Sequence, residues 1–226
     1  VNGSAYVRYT KGKNDFGLEY SINLRDYNNR QYSKIYDYYL NGVHYRSEEK
    51  GKDHFGYTDQ YITLRYANVS SGKYIFQTKF SINPTTFFSK GKAESIFNQG
   101  NAYQNDKAIH NSNLSYTNPT LDIYYSKNFG KLDELSINLI GSHYNTTSSQ
   151  FDYEWNIDSN DEVFRNDMNL KAKQTGIVGE VTHTHTFKKG KLNSGYRISY
   201  TSISNNLDNL LGISNYDVNF LEQYFF

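Results

Sequence analysis

Along most of this chain apolar and polar residues alternate with a period of two. Phe16, Leu18, Tyr20, Ile22 and Leu24 are separated by Gly17, Glu19, Ser21 and Asn23. An extended backbone sends successive side chains to opposite faces, so this segment has one apolar and one polar side. The pattern returns at Ile62, Leu64, Tyr66; at Tyr74, Phe76, Phe80, Ile82; at Leu121, Ile123, Tyr125; and at Leu135, Ile137, Leu139. It returns again at Phe151, Tyr153, Trp155, Ile157; at Leu192, Tyr196, Ile198, Tyr200; and at Tyr216, Val218, Phe220. Tyr32 to Tyr45 reads as one further strand with no clear division of faces. The periodicity predicts an all-β chain of about ten strands. Lys90 to Ala102 is the one stretch that reads as helical.

The expected connections are of two kinds. Lys11–Asp15, Ser70–Lys73, Asn128–Lys131 and Lys188–Lys191 are short and contain Gly, which supplies the positive φ of tight turns. The stretches 46–56, 83–113, 158–174 and 202–215 are longer and polar, and read as loops. Short turns alternating with long loops is the layout of outer-membrane barrels, and a segment such as 135–157 exceeds the ~9–11 residues that cross a bilayer.

Composition sharpens the choice of solvent. The 226 residues include 23 Tyr, 14 Phe and 1 Trp, yet the mean hydropathy is -0.79. An antiparallel transmembrane β-barrel reconciles the two, because only its outer face meets lipid and its aromatics gather at the membrane interfaces. A soluble, secreted β-sheet protein that binds a partner shares the same period and is the alternative from residue pattern alone. Few prolines and long strands count against it. No run of about 18 apolar residues is present to form a membrane-spanning helix. The start at Val1-Asn2-Gly3 reads as a mature or excised piece.

Several stretches together resemble the barrel of TonB-dependent receptor-like outer-membrane proteins of the Bacteroidetes type. They are Asn2–Tyr9, Gly17–Tyr20, Arg25–Tyr27, Asn118–Tyr125 and Gly176–Val181 ahead of the turn at Lys188–Lys191. The similarity lies in strands and includes no catalytic signature. It implies that residues 1–226 are about ten strands of a larger barrel of about 22 strands, with the plug domain absent from this chain. It further implies nutrient import across a Gram-negative outer membrane. The implied partners are outer-membrane lipid, the rest of the barrel and plug, TonB through that plug, and a surface lipoprotein. A self-contained ten-strand barrel, pore or enzyme, is the other membrane alternative.

Candidate chemistry is sparse, and no enzymatic activity is expected. With no Cys and a formal net charge of +1, thiol catalysis, Cys-based metal sites and electrostatic nucleic-acid binding are excluded. His110 and Ser112 would share a face of an extended segment but lack an orienting partner. His183 and His185 would likewise share a face, with no third metal ligand assignable, and read as interface residues beside a turn. Asp158, Asn160 and Glu162 alternate in a loop without the spacing of a calcium-binding loop. Lys-Gly-Lys occurs at 11–13, 50–52, 90–92 and 189–191, read as turns. Phe87, Phe88 and Tyr103 are the candidate ligand-binding residues, in the 83–113 loop, where aromatics would stack on a flat ligand. No cofactor and no metal site is expected.

Overall fold

The computed structural model describes residues 1–99 and 102–226. Among the described residues there are eleven strands and no helix, and every pairing is antiparallel within one sheet. The strands are β1 (Asn2–Lys11), β2 (Asn14–Leu40), β3 (Val43–Ser70), β4 (Tyr74–Ile82), β5 (Thr85–Gln99) and β6 (Ala102–Thr117), followed by β7 (Thr120–Phe129), β8 (Asp133–Asn156), β9 (Glu162–Phe187), β10 (Gly190–Asn209) and β11 (Gly212–Phe225).

Eleven strands make only nine lines. β4 and β5 pair with β3 in one continuous register, Ile82 facing Ile62 and Thr85 facing Asp59. β6 and β7 do the same on β8, with Thr117 facing Asn145 and Thr120 facing Ser142. Each break falls at the same tripeptide, Asn-Pro-Thr, at 83–85 and 118–120, and these hold the only two prolines of the chain. Proline has no N–H for the ladder. Its carbonyl still accepts: Gln60 N–H donates to Pro84 O at 3.1 Å and His143 N–H to Pro119 O at 3.0 Å. The result is an up-and-down sheet of nine consecutive lines.

The four short turns fall where the Gly-rich segments predict them. The polar stretches differ. Residues 46–56 lie inside β3, 83–113 supplies β5 and most of β6, 158–174 is largely β9, and 202–215 is the end of one hairpin. Long polar connections are therefore extended hairpin arms. Backbone pairing on both sides holds them as strands whatever the polarity of their side chains. The helix expected over Lys90–Ala102 is overturned for the same reason: β5 is paired with both β3 and β6. Gly100 and Asn101, within that stretch, lie outside the described residues. Tyr32–Tyr45 is not one strand. Asn41 (φ 50°) and Gly42 (φ 78°) both take the left-handed conformation of a two-residue hairpin turn between β2 and β3.

One face carries an apolar band across all nine lines. A single rung of directly paired residues runs Val7, Leu18, Leu64, Phe80, Leu121, Gly141, Ile177, Tyr200, Leu221. On β2 the band extends from Phe16 to Leu24, and on β10 from Leu192 to Tyr200. Leu24 stands six residues beyond Leu18, which shares its rung with Tyr200; Phe16 stands six residues beyond the rung of Leu192. Both edges thus slide equally over the six steps from β2 to β10. At ~3.3 Å per residue and ~4.8 Å per strand the slope is about 35°. Strands crossing a flat slab at that tilt give this stagger, and transmembrane barrels tilt by ~35–45°.

The C-terminal strand differs from expectation. Leu221 and Phe225 join the apolar face, opposite Tyr200 and Tyr196, whereas Phe220, Glu222 and Tyr224 lie on the polar face. Glu222 therefore does not interrupt the apolar band. Tyr216 and Val218 share the polar-face parity too, so the apolar alternation expected of them falls on the wrong side. Among the described residues, β1 pairs only with β2, and β11 only with β10. The sheet is open at both sides, which overturns closure of these strands into a self-contained barrel.

Above the band the sheet packs tightly. A methyl group on Gly91 would lie 2.5 Å from His110 Cε1 and 2.8 Å from both Asp53 Cβ and the Lys52 carbonyl. Gly91→Ala is expected to destabilise the protein by about 1–3 kcal/mol, the usual cost of overpacking. Gly190→Ala, with open space at the same atom, should cost much less. Denaturant unfolding of the two variants side by side checks this; equal midpoints would refute the close packing.

Candidate functional site

The face opposite the band is a polar wall. One of its rungs reads Arg8, Gly17, Arg65, Lys79, Asp122, Ile140, Val178, Ser199, Glu222. It forms because alternate residues must point away from the apolar side, and the sequence fills those positions with paired charges. Arg8 grips Asp15 through two hydrogen bonds, Nε to Oδ1 at 2.9 Å and Nη2 to Oδ2 at 2.6 Å, and Thr10 Oγ1 donates to the same carboxylate at 2.9 Å. Arg65 lies 3.5 Å from Glu19, Arg197 lies 3.9 Å from Glu180, and Ser199 Oγ donates to Glu222 at 3.0 Å. Gly17, having no side chain, leaves a hollow of about 450 Å³ between Arg8, Arg65, Lys79 and Asp122. Opposed charges at this density suit a wet interface or a polar partner surface. Thr63 on this wall is fully buried, and its hydroxyl has no partner among the described residues.

Higher on the same wall the groups are more enclosed. Arg30 pairs with the buried Asp53, its Nε donating at 2.9 Å. Tyr32 lies over Gly51, and burial, reinforced by Glu49, pushes its phenol up to about 12. Burial also raises the Glu154 carboxyl, although Ser95 Oγ donates to it at 3.2 Å.

The residues singled out from sequence scatter. Phe87, Phe88 and Tyr103 are not in a loop and do not converge. Phe87 and Phe88 are neighbours in β5 and so point to opposite faces, while Tyr103 faces Asn98, ten residues farther along β5 than Phe88. Phe88 sets its ring edge-on to His54 at 4.9 Å and covers Gly56. His110 and Ser112 do share a face, the polar one, where His110 Nε2 meets Ser89 Oγ at 3.1 Å. Asp158 and Asn160 occupy the turn between β8 and β9, where Asn156 Oδ1 accepts from the N–H groups of Asp158 and Ser159 at 3.0 and 2.9 Å. Among the described residues no group of three or more His, Cys, Asp or Glu is arranged to hold a metal ion.

His183 and His185 sit on the apolar face at its turn-side rim, without a bulge in the pairing. Both reach Asp133 Oδ1, at 3.1 and 2.7 Å. Sequence separation of about 50 residues hid this partner; it becomes visible once β8 and β9 are taken as neighbours in register.

Hydrogen bonding from His185, and then from His183, holds the Asp133 carboxyl below the ordinary carboxylate range. A folded-state value below the unfolded one means that the stabilisation is present above ~3.9 and is lost as pH falls through the depressed value. Asp133→Asn is therefore expected to lower the unfolding temperature at pH 7, with the gap to wild type closing as pH falls through the depressed value. A gap of constant size across that range would remove the linkage.

No protein-family profile matches the chain, and no curated protein matches it. Among solved structures, the chain is similar to the ferric citrate transporter FecA in its unliganded form, at 8% identity and a TM-score of 0.35, over 98% of this chain and 40% of that one. The chain thus spans less than half the length of that transporter.

Proposed function

We propose that this chain is a section of the wall of an outer-membrane β-barrel that serves transport, and more specifically part of the barrel of a TonB-dependent receptor that imports a nutrient. The observation that carries the proposal is the slanted apolar band. Nine residues tall on β2 and on β10, it rises roughly 22 Å along the normal at a 35° tilt, close to the ~25 Å apolar belt of outer-membrane barrels. Ala93 is the one buried apolar side chain among the described residues. A soluble sheet must bury its apolar face under a second layer, and no second layer of described residues covers this one. Lipid is the covering that suits it.

Both open sides ask for further strands, since unpaired N–H and C=O groups in lipid cost several kcal/mol each. The remaining barrel strands would pair there. The charged wall would face the lumen and a plug domain, through which TonB would deliver energy, with a surface lipoprotein as a partner at the outer end. No catalytic step belongs to this role.

These 226 residues contain no cysteine, so a label can be placed within them at a single chosen position. Leu121→Cys and Asp122→Cys are made singly in the whole protein, labelled with an environment-sensitive dye, and reconstituted in vesicles. The dye at 121 should be quenched by a lipid-borne quencher and spared by iodide, and the dye at 122 should show the reverse. Equal iodide quenching at both sites, or a monodisperse product without detergent, would overturn the membrane role. Failure of the whole protein to retain the periplasmic domain of TonB would remove the receptor assignment while leaving the barrel intact.

A further inference from the structure

Two of the four Lys-Gly-Lys triplets are not turns. Lys50-Gly51-Lys52 lies within β3 and Lys90-Gly91-Lys92 within β5, and these strands are paired. Three successive rungs on one face read Lys50, Glu94, Lys107, Trp155; then Lys52, Lys92, Ile109, Tyr153; then His54, Lys90, Asn111, Phe151. All four triplet lysines are exposed, and with Lys107, Ile109, Phe151 and Trp155 they line a hollow of about 1280 Å³.

Lys52 stands directly opposite Lys92, a cross-strand pairing of like charges that costs stability. The carboxylates near the array are taken by other cations, Glu94 among them although it lines the hollow opposite Lys50. Glu94 is 3.5 Å from Lys107, Asp26 meets His54 at 2.5 Å, and Glu48 meets Arg46 at 2.6 Å. Among the described residues, no carboxylate lies within salt-bridge distance of Lys50, Lys52, Lys90 or Lys92. With Glu94 set against Lys107, the four triplet lysines leave a concentrated excess of positive charge in a chain whose net charge is only +1. Four residues of strand by three strands gives a footprint of roughly 13 by 10 Å. That fits two or three sugar rings and is too short for a nucleic-acid track. Trp155, stacked on Tyr153 at 5.5 Å, and Phe151 give one side of the hollow a flat apolar edge of the kind that suits a sugar ring.

We propose that this hollow binds a polyanionic oligosaccharide, with Lys50, Lys52, Lys90 and Lys92 on its phosphate or sulfate groups and Trp155 against a ring. Lys90 lies eight residues beyond Ile82, at the top of the band on that line, roughly 20 Å above it at the tilt given. At that height the saccharide is either free or the outer sugar portion of a surface glycolipid. The site stands whether or not the barrel is a receptor, because it rests on the lysine array alone.

Trp155 lines the hollow, and the emission lost in Trp155→Phe isolates its signal from that of any other tryptophan of the whole protein. The whole protein in detergent is titrated with a sulfated heparin tetrasaccharide and with its desulfated counterpart, and separately with lipopolysaccharide micelles and their dephosphorylated form. A saturable change in Trp155 emission is expected with a charged ligand and not with its neutral partner. Lys52→Gln/Lys92→Gln should weaken binding at least tenfold. Lys11→Gln/Lys13→Gln, at a triplet that is a turn, should leave it unchanged. A response to the tetrasaccharide assigns a free ligand, and a response to lipopolysaccharide alone assigns the glycolipid; both support the site. Equal binding of charged and neutral forms, binding indifferent to Lys52 and Lys92, or no binding of any probe would overturn it. Without ligand, the Lys52→Gln/Lys92→Gln protein should melt at or above the wild-type temperature, which separates lost binding from lost fold.

Discussion

Hydrogen-bond register is the constraint on which everything else depends. Nine lines run alongside one another, and the pairing shifts only at Tyr27/Arg30 and Glu154/Trp155. Because side chains alternate strictly, a slip of one residue anywhere would exchange the two faces of a whole strand. Within the band the register has no shift, and it turns nine separate alternations into one apolar surface and one charged surface. It also sets the lysine array, which belongs to no single strand and exists only because β3, β5 and β6 keep step far above the band.

Much of this was legible in the residues. Period two in Phe16–Leu24 or Leu135–Leu139 needs nothing beyond pleated geometry, and the turns at Gly12, Gly72 and Gly130, and at Lys188-Lys189 just before Gly190, were visible as such. What could not be read was the fate of polar segments. Strand signals weight apolar alternation, so β5 beyond Phe88, β9 before Thr175 and the arms of the β10–β11 hairpin resemble loops. They are strands because neighbouring backbones pair with them, a tertiary effect with no local trace. Asn41-Gly42 is a different kind of omission: the dipeptide is itself a hairpin signal and divides Tyr32–Tyr45 unaided.

Candidate chemistry was legible in the opposite sense. Phe87 and Phe88 stand out as aromatics in the sequence, and as neighbours in a strand they point to opposite faces. Lys50-Gly51-Lys52 and Lys90-Gly91-Lys92 resembled turns, because glycine between lysines usually is one. Here glycine serves a close approach instead: Gly51 admits the ring of Tyr32, and Gly91 admits His110. The same residues that thin the wall on one side bring the lysines together on the other. The Asp133 pairing with His183 and His185 was hidden by distance along the chain.

Pro84 and Pro119 lie on adjacent lines at nearly the same level, just where the apolar band ends. Between the pair Ser81–Thr120 and the pair Thr85–Tyr116 the ladder joining these two lines is interrupted, while the outer neighbours β3 and β8 continue past it. The two lines therefore lose their direct ladder along a short crease at the level where the proposed wall would leave the bilayer, and there the lysine-lined panel is joined to the band through the covalent chain and the outer ladders to β3 and β8.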